Sequence, residues 1–442
     1  MKIHFGTDGI RGRANENLTV DMAYRIGQYV GKTFVGGKIL IGKDTRLSSS
    51  MLEAALSAGL SACGCNVYQL SVCSTPALVY LVRNEDFDGG IMITASHNPY
   101  HDNGIKIISS EGSKIKAEFE QEIEDYIYSD RQLELAIGQN IGTINDYRSG
   151  LNDYYDHLYK EFPLDLSNYK IIIDCANGSS TVTAPVVFKH LNAQLTVTNN
   201  TPDGYNINKD CGSTHINRLV DLVKAGSYDV GFAYDGDADR VIAVASDGAI
   251  VDGDKIIYSC GKYLNSKGQL NGGKVVTTVM ANLGLFKKLD EEKIGYEKTQ
   301  VGDKYVYQCM QENGYVLGGE QSGHIIFSQY ATTGDGLLTS LMLLKVMSDT
   351  HKSLNELTDA LVIYPQILIN VEVKDKEACL KDQRLLDKCD EVQDILKDNG
   401  RVLVRVSGTE PLVRVMLEAQ SEEICKKYAE EIVEVVKKIN ND

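Results

Sequence analysis

Asp229-Val230-Gly231-Phe232-Ala233-Tyr234-Asp235-Gly236-Asp237-Ala238-Asp239-Arg240-Val241-Ile242-Ala243-Val244-Ala245 sets an acidic loop between two short apolar runs. Short apolar runs bounded by turn residues read as buried strands. Three carboxylates within five residues, Asp235, Asp237 and Asp239, repel one another unless a cation neutralises them. Alternate residues share a face in an extended chain, so the three can converge. Hard oxygen ligands suit Mg²⁺ or Ca²⁺. An EF-hand loop counted from Asp235 needs glycine sixth and glutamate twelfth, where Arg240 and Ser246 stand, and that excludes it. The alternative is a solvated acidic turn, and the apolar flanks on both sides weigh against it.

The same alternation runs outward from this stretch. Further strand candidates are Lys38–Ile41, Gly90–Thr94, Tyr169–Asp174 and Gly273–Val279, with helix-like segments at Leu18–Phe34, Ser49–Cys63 and Lys116–Tyr128. In the last of these, Phe119, Ile123 and Ile127 recur at spacing four with charges between them, a helical period. The tail differs. Arg401–Ser407 and Leu412–Ala419 flank the turn Gly408-Thr409-Glu410-Pro411, and a charged amphipathic helix follows over Ser421–Ile439. The pattern predicts α/β layers and a small α+β domain at the end. Pro163 and Pro365 fall between periodic segments as linker markers. The expected divisions are residues 1–150, 151–253, 254–366 and 367–442.

The composition narrows the function. Of 442 residues, 43 % are hydrophobic and 24 % charged, a globular balance that excludes disordered and fibrous chains. Forty-five basic and 61 acidic residues give a formal net charge of −16, which argues against nucleic acid as the main partner. A small anion can still bind in a local basic pocket. The start, Met1-Lys2-Ile3-His4-Phe5-Gly6-Thr7, lacks the features of a signal peptide. The longest apolar-rich stretch, Gly336–Met347, is interrupted by Thr339, Ser340 and Lys345 and is too short and polar to cross a bilayer, so no membrane partner is expected. The ten cysteines form no C-x-x-C pair, which argues against a zinc knuckle and predicts free buried thiols in a reducing cytoplasm.

Four further segments carry chemistry. Gly6-Thr7-Asp8-Gly9-Ile10-Arg11-Gly12 is a loop that lets backbone approach a ligand, with Arg11 suited to phosphate; a simple turn is the alternative. Ile93-Thr94-Ala95-Ser96-His97-Asn98-Pro99 follows an apolar strand and offers Ser96 as nucleophile, although these are also turn residues. It is not the G-x-S-x-G elbow of hydrolases. Lys106, in Ile105-Lys106-Ile107-Ile108, is either an edge-strand residue facing water or a desolvated acid/base of lowered pKa. Gly318-Gly319-Glu320-Gln321-Ser322-Gly323-His324 is a hairpin turn or a loop that hydrogen-bonds the hydroxyls or amine of a sugar. Arg405 and Ser407 share one strand face, Gly408 and Thr409 offer donors at the turn, and Arg414 returns on the next strand. That set is a phosphate clamp or a solvated hairpin.

Taken together and in order, the five motifs resemble those of the α-D-phosphohexomutases over essentially the full chain. The resemblance implies three α/β domains with mixed sheets and a C-terminal α+β domain around a central active-site cleft. It implies that Ser96 carries the phosphoryl group, that Asp235, Asp237, Asp239 and the phosphoserine hold Mg²⁺, and that Arg405, Ser407, Gly408 and Thr409 hold the substrate's phosphate. Lys106 and Arg11 are its candidates for proton transfer, with His97 and His324 orienting groups. The implied reaction passes through a bisphosphorylated sugar. The loop Glu320-Gln321-Ser322-Gly323-His324 and the segment Thr299-Gln300-Val301-Gly302-Asp303-Lys304-Tyr305-Val306 resemble the phosphoglucosamine mutase branch. That implies glucosamine 6-phosphate and glucosamine 1-phosphate as substrate and product, a hexosamine 1,6-bisphosphate as activator and intermediate, a place in UDP-N-acetylglucosamine and peptidoglycan precursor synthesis, and a homodimer. The branch often has glycine where Ala238 stands, and the extra methyl is tolerated if φ there is negative. Competing readings are a phosphomannomutase or phosphoglucomutase of the same mechanism, an aspartyl-phosphate phosphatase using Asp235, and a non-catalytic sugar-phosphate sensor.

Overall fold

Apolar runs and amphipathic stretches alternate in the folded chain as layered sheets and helices, over residues 3–6, 8–407 and 411–441, which the computed structural model describes. The chain divides into two units, residues 1–279 with 294–358 and residues 280–293 with 359–442.

The first unit holds three mixed sheets. Strands β1 (Phe5–Gly6), β2 (Gly9–Arg13), β3 (Lys38–Lys43), β4 (Asn66–Val72), β5 (Gly89–Ile93), β6 (Asp102–Ser109) and β7 (Ile144–Asp146) form the first, in the order β1-β2-β6-β5-β3-β4-β7. β3 runs parallel to β4 and β5, and β6 antiparallel to β5. Thr19 accepts from the amide of Met22 and starts the helix Val20–Thr33 two residues later than the apolar pattern predicts. That helix packs closely on the helix Ser49–Ala62. A Cβ on Gly27 would lie 2.4 Å from the Leu56 carbonyl oxygen, and one on Gly59 2.2 Å from that of Tyr24. Ile26, Val30, Leu52 and Leu56 meet Ile39, Ile41, Ile91 and Ile93 in the core beneath.

The second sheet contains β8 (Lys170–Asp174), β9 (Gln194–Thr198), β10 (Val230–Tyr234), β11 (Val241–Ala245) and β12 (Ile250–Val251), in the order β12-β11-β10-β8-β9. Every residue of β10 and β11 is buried, so the acidic loop between them is anchored at both ends. The third sheet is β14-β13-β15-β16, from β13 (Lys274–Thr278), β14 (Gly295–Thr299), β15 (Leu317–Gly319) and β16 (Ile325–Phe327). The apolar stretch from Gly336 is a helix to Thr350 buried on nearly every side. Among the described residues no helix is long and apolar enough to cross a membrane.

In the second unit, β17 (Gln366–Glu372), β18 (Gly400–Val406) and β19 (Leu412–Ala419) form an antiparallel sheet in the order β17-β19-β18. The helix Glu422–Asn441 covers one face through Cys425, Ala429, Ile432 and Val436, against Val413, Val415 and Leu417. Glu418 is fully buried and gathers the Leu283 amide at 3.1 Å, the Asn282 amide group at 3.2 Å and the Arg401 guanidinium. All ten cysteines are free, eight of them buried.

Candidate active site

Ser96 stands three residues beyond the end of β5 and is fully buried. Its backbone is left-handed, φ +50°. Its amide donates to Thr94 Oγ1 at 2.9 Å, and its Oγ donates to Asp235 Oδ2 at 2.7 Å. His97 Nδ1 lies 3.3 Å from the same Oγ. Burial, with Arg240 and Arg11 nearby, pushes the His97 imidazole down to about 4, so it is neutral at pH 7.

The loop from Asp235 to Arg240 brings its carboxylates together by turning, not by extension. The Ala238 amide closes on the Asp235 carbonyl at 3.1 Å, and Ala238 has φ +58°. The condition of negative φ for a harmless methyl at this position is therefore not met. Gly236 fits its place because a Cβ there would lie 2.4 Å from the Ser96 carbonyl oxygen. The serine loop and the acidic loop thus press backbone to backbone. Asp235, Asp237 and Asp239 are buried and each offers a carboxylate oxygen within 4.8 Å of the others.

This cluster has the electrostatics of a cation site. Burial, then the charges of Asp239 and Asp237, push the Asp235 carboxyl well above the usual carboxylate range. Asp239 is held below that range despite burial, by Lys106 and His324. Asp237 Oδ1 and Asp239 Oδ1 are buried with no hydrogen-bond partner among the described residues. Two orphaned anionic oxygens beside a third carboxylate fit a hard divalent cation such as Mg²⁺.

Lys106 lies in β6, an interior strand, and its side chain is 3 % exposed, so it does not face water. Its Nζ lies 2.9 Å from Asp237 Oδ2, 3.1 Å from Asp8 Oδ2 and 3.6 Å from Asp239 Oδ2. Burial acts to lower its pKa, but these three carboxylates outweigh burial and raise it. The expected lowered-pKa lysine is therefore corrected to a firmly charged ammonium.

Arg11 pairs with Asp8, and Lys114 reaches both Asp8, at 3.3 Å, and Asp303, at 2.7 Å. Asp8, Thr75, Lys106, Lys114, Asp239 and Asp303 border a cavity of about 260 Å³. The loop Glu320–His324 is the hairpin joining β15 to β16. Glu320 Oε1 accepts the Gly302 amide at 3.1 Å, and Gln321 Nε2 lies 3.4 Å from Asp252 Oδ2. Ser322 is exposed at the tip. His324 is buried. Its Nε2 accepts the Gly334 amide at 3.0 Å, and its Nδ1 faces Asp239 Oδ2 at 3.7 Å.

The structure thus gathers Ser96, His97, Lys106, Asp235, Asp237, Asp239 and His324 around one cluster, with Arg11 joined through Asp8. In the second unit Arg405 and Arg414 are directly opposite across β18 and β19. Two guanidinium groups facing each other destabilise a bare sheet and suit an anion. Burial and the Arg414 charge lower the pKa of Arg405, and Arg414 Nη2 donates to the buried Ser407 Oγ at 3.3 Å. Gly408 and Thr409 lie outside the described residues.

Sequence reasoning gave no role to Thr75, Lys114 or Asp303, nor to Asp8 within its quoted loop. Thr75 Oγ1 donates to Asp237 Oδ2 at 2.6 Å. Its signal was the pair Ser74-Thr75 before Pro76, a helix start following a strand.

A buried serine hydrogen-bonded into a buried aspartate triad, on mixed α/β sheets with an α+β unit at the C-terminal end, fits a phosphohexomutase-type isomerase. The chain belongs to the phosphoglucomutase/phosphomannomutase family of the α-D-phosphohexomutase superfamily, matching its alpha/beta/alpha domain I over residues 2–134, domain II over 152–248, domain III over 252–364 and its C-terminal domain over 368–435. It is 50 % identical to the phosphoglucosamine mutase of Lachnospira eligens, with 99 % of each chain covered. It is 49 % identical to that of Lachnoclostridium phytofermentans, covering 99 % of this chain and 98 % of the relative. A family member from Burkholderia thailandensis shares the fold at TM-score 0.82 and 23 % identity, with 99 % of this chain and 98 % of that one covered. The N-acetylphosphoglucosamine mutase of Aspergillus fumigatus, solved with GlcNAc-6P and magnesium, does so at TM-score 0.71 and 18 % identity, covering 100 % and 96 %.

Proposed function

We propose that the protein is a phosphoglucosamine mutase that interconverts glucosamine 6-phosphate and glucosamine 1-phosphate through a phosphoserine at Ser96. The observation that carries this reading is the 2.7 Å hydrogen bond from Ser96 Oγ to Asp235 within the buried carboxylate cluster. The names of the relatives at 49–50 % identity over nearly the whole chain support the amino sugar.

Phosphoserine 96 gives its phosphoryl group to the free hydroxyl of the bound sugar phosphate. The O–P bond to Ser96 breaks, the bond to the sugar oxygen forms, and the hydroxyl proton ends on Ser96 Oγ. The sugar bisphosphate reorients, returns its other phosphoryl group to Ser96 and leaves as the isomer. Asp235, Asp237 and Asp239, with an oxygen of the phosphoserine, would hold Mg²⁺, which supplies charge neutralisation for the phosphoryl group. Lys106 and Arg11 act as fixed cations beside the developing negative charge. Glu320, Ser322 and His324 are assigned to the sugar, and Arg405, Ser407, Gly408, Thr409 and Arg414 to its other phosphate. The product would feed amino-sugar nucleotide synthesis.

The test is kcat/KM on glucosamine 1-phosphate, glucose 1-phosphate and mannose 1-phosphate, with Mg²⁺ and a hexose bisphosphate primer. The expected result is a preference for the amino sugar of about a hundredfold, or about 2.7 kcal/mol in transition-state binding. Equal or better rates with glucose or mannose phosphates would keep the mechanism and replace the substrate.

A further inference from the structure

Asp44 and Arg46 follow directly on the end of β3, and both side chains are fully buried. The Asp44 carboxylate receives Arg46 Nε at 2.8 Å, Thr94 Oγ1 at 2.7 Å, Ser49 Oγ at 2.9 Å and the Arg46 amide at 3.0 Å. The rest of the guanidinium faces the serine loop. Nη2 donates to the carbonyl oxygens of Ser96 and Asn98 at 2.9 Å each, and Nη1 to those of Asp102 at 3.0 Å and Pro99. A guanidinium has five N–H donors in a rigid fork, and here one goes to Asp44 and four to loop carbonyls, so none is spare.

Ser96 is therefore tied at both of its peptide groups to one carboxylate. Its carbonyl reaches Asp44 through Arg46. Its amide reaches Asp44 through Thr94 Oγ1, which accepts from Ser96 N at 2.9 Å while donating to Asp44. Asn208 Nδ2 adds a second donor to the Ser96 carbonyl at 2.8 Å. The conformation held this way, φ +50°, is one that residues with a Cβ avoid, and it persists only where the surroundings over-determine it.

We propose that Asp44, Arg46 and Thr94 form a positioning clamp that sets the backbone of Ser96 so that Oγ meets the aspartate cluster, and that the clamp governs the phosphoryl-transfer rate and not sugar binding. It rests on the reading of Ser96 as phosphoryl carrier. Arg46 and Thr94 touch neither the reacting atoms nor the sugar in this scheme; they act through Ser96.

The test uses the full-length enzyme with Mg²⁺ and two variants. R46K keeps a charge and loses the fork. T94V keeps the shape and removes the acceptor for Ser96 N. Each is expected to lower kcat by about 100-fold, the scale of a misplaced reacting group, with KM unchanged. The double variant should lose less than the product of the two, because both arms meet at Asp44. If R46K fails to fold, T94V decides alone. Wild-type kcat in folded T94V, a raised KM at unchanged kcat, or fully multiplicative losses would each overturn the clamp. A wild-type enzyme with no phosphate on Ser96 and no turnover of any hexose phosphate would overturn the functional reading instead. The variants are then judged by Mn²⁺ affinity at the aspartate cluster, which loss of the clamp lowers by about tenfold. Unchanged affinity would overturn the clamp in that case too.

Discussion

Ala238 holds φ +58° between two of the clustered aspartates, and its Cβ has to fit a backbone that glycine adopts freely. The A238G variant is expected to raise the free energy of unfolding by about 0.5–1 kcal/mol, net of the extra freedom glycine gives the unfolded chain. Urea denaturation at fixed Mg²⁺ measures this, and a loss of stability would show that the methyl packs usefully. The loop's acidity was plain in the sequence because Asp235, Asp237 and Asp239 are neighbours in the chain. Its backbone was not, because the turn is fixed by what surrounds it, including the Ser96 carbonyl against Gly236. Lys106 teaches the same lesson. Its place in an apolar run was legible. Its charge was not, since Asp8 and Asp237 reach it from 98 and 131 residues away.

At the scale of elements, the site depends on two loops meeting where strands β5 and β10 end. Gly236 sets that meeting, since a Cβ would sit 2.4 Å from the Ser96 carbonyl oxygen and neither side of the contact is a flexible side chain. G236A should therefore push the loops apart and lower kcat by about 100-fold while the far-ultraviolet dichroism stays native. Steady-state kinetics on the folded variant checks this; near-normal kcat would mean that the spacing is not critical. Strands β5 and β10 were legible from apolar runs and turn residues, whereas β4, β9 and β14 were not. The closeness of helices Val20–Thr33 and Ser49–Ala62 was not. Gly27 and Gly59 read locally as weak helix residues, and their value lies in the backbones they let together.

At the scale of the molecule, the sequence pattern showed α/β layers with an α+β tail, and both are present. It did not show that the helix Leu283–Glu291 groups with the tail's sheet. In sequence that helix sits between two strands of the third sheet, but Asn282 and the Leu283 amide bind the buried Glu418 of β19. Such a pairing spans 135 residues and leaves no local trace. A chain of net charge −16 does not draw anions over its whole surface, so the proposed function assigns capture of the sugar phosphate to local basic groups, Arg405 and Arg414.

Every step of the proposed reaction depends on Ser96 carrying a phosphoryl group beside the aspartate cluster. The direct measurement labels the enzyme with radioactive phosphate from a hexose bisphosphate, maps the label, and then adds unlabelled glucosamine 6-phosphate. The label should sit on Ser96 and pass to the sugar within one turnover when Mg²⁺ is present. It should stay on the enzyme in a chelator, and S96A should take up none. Label on Asp235, or a phosphoserine that does not pass its phosphoryl group to any hexose phosphate, would contradict the account.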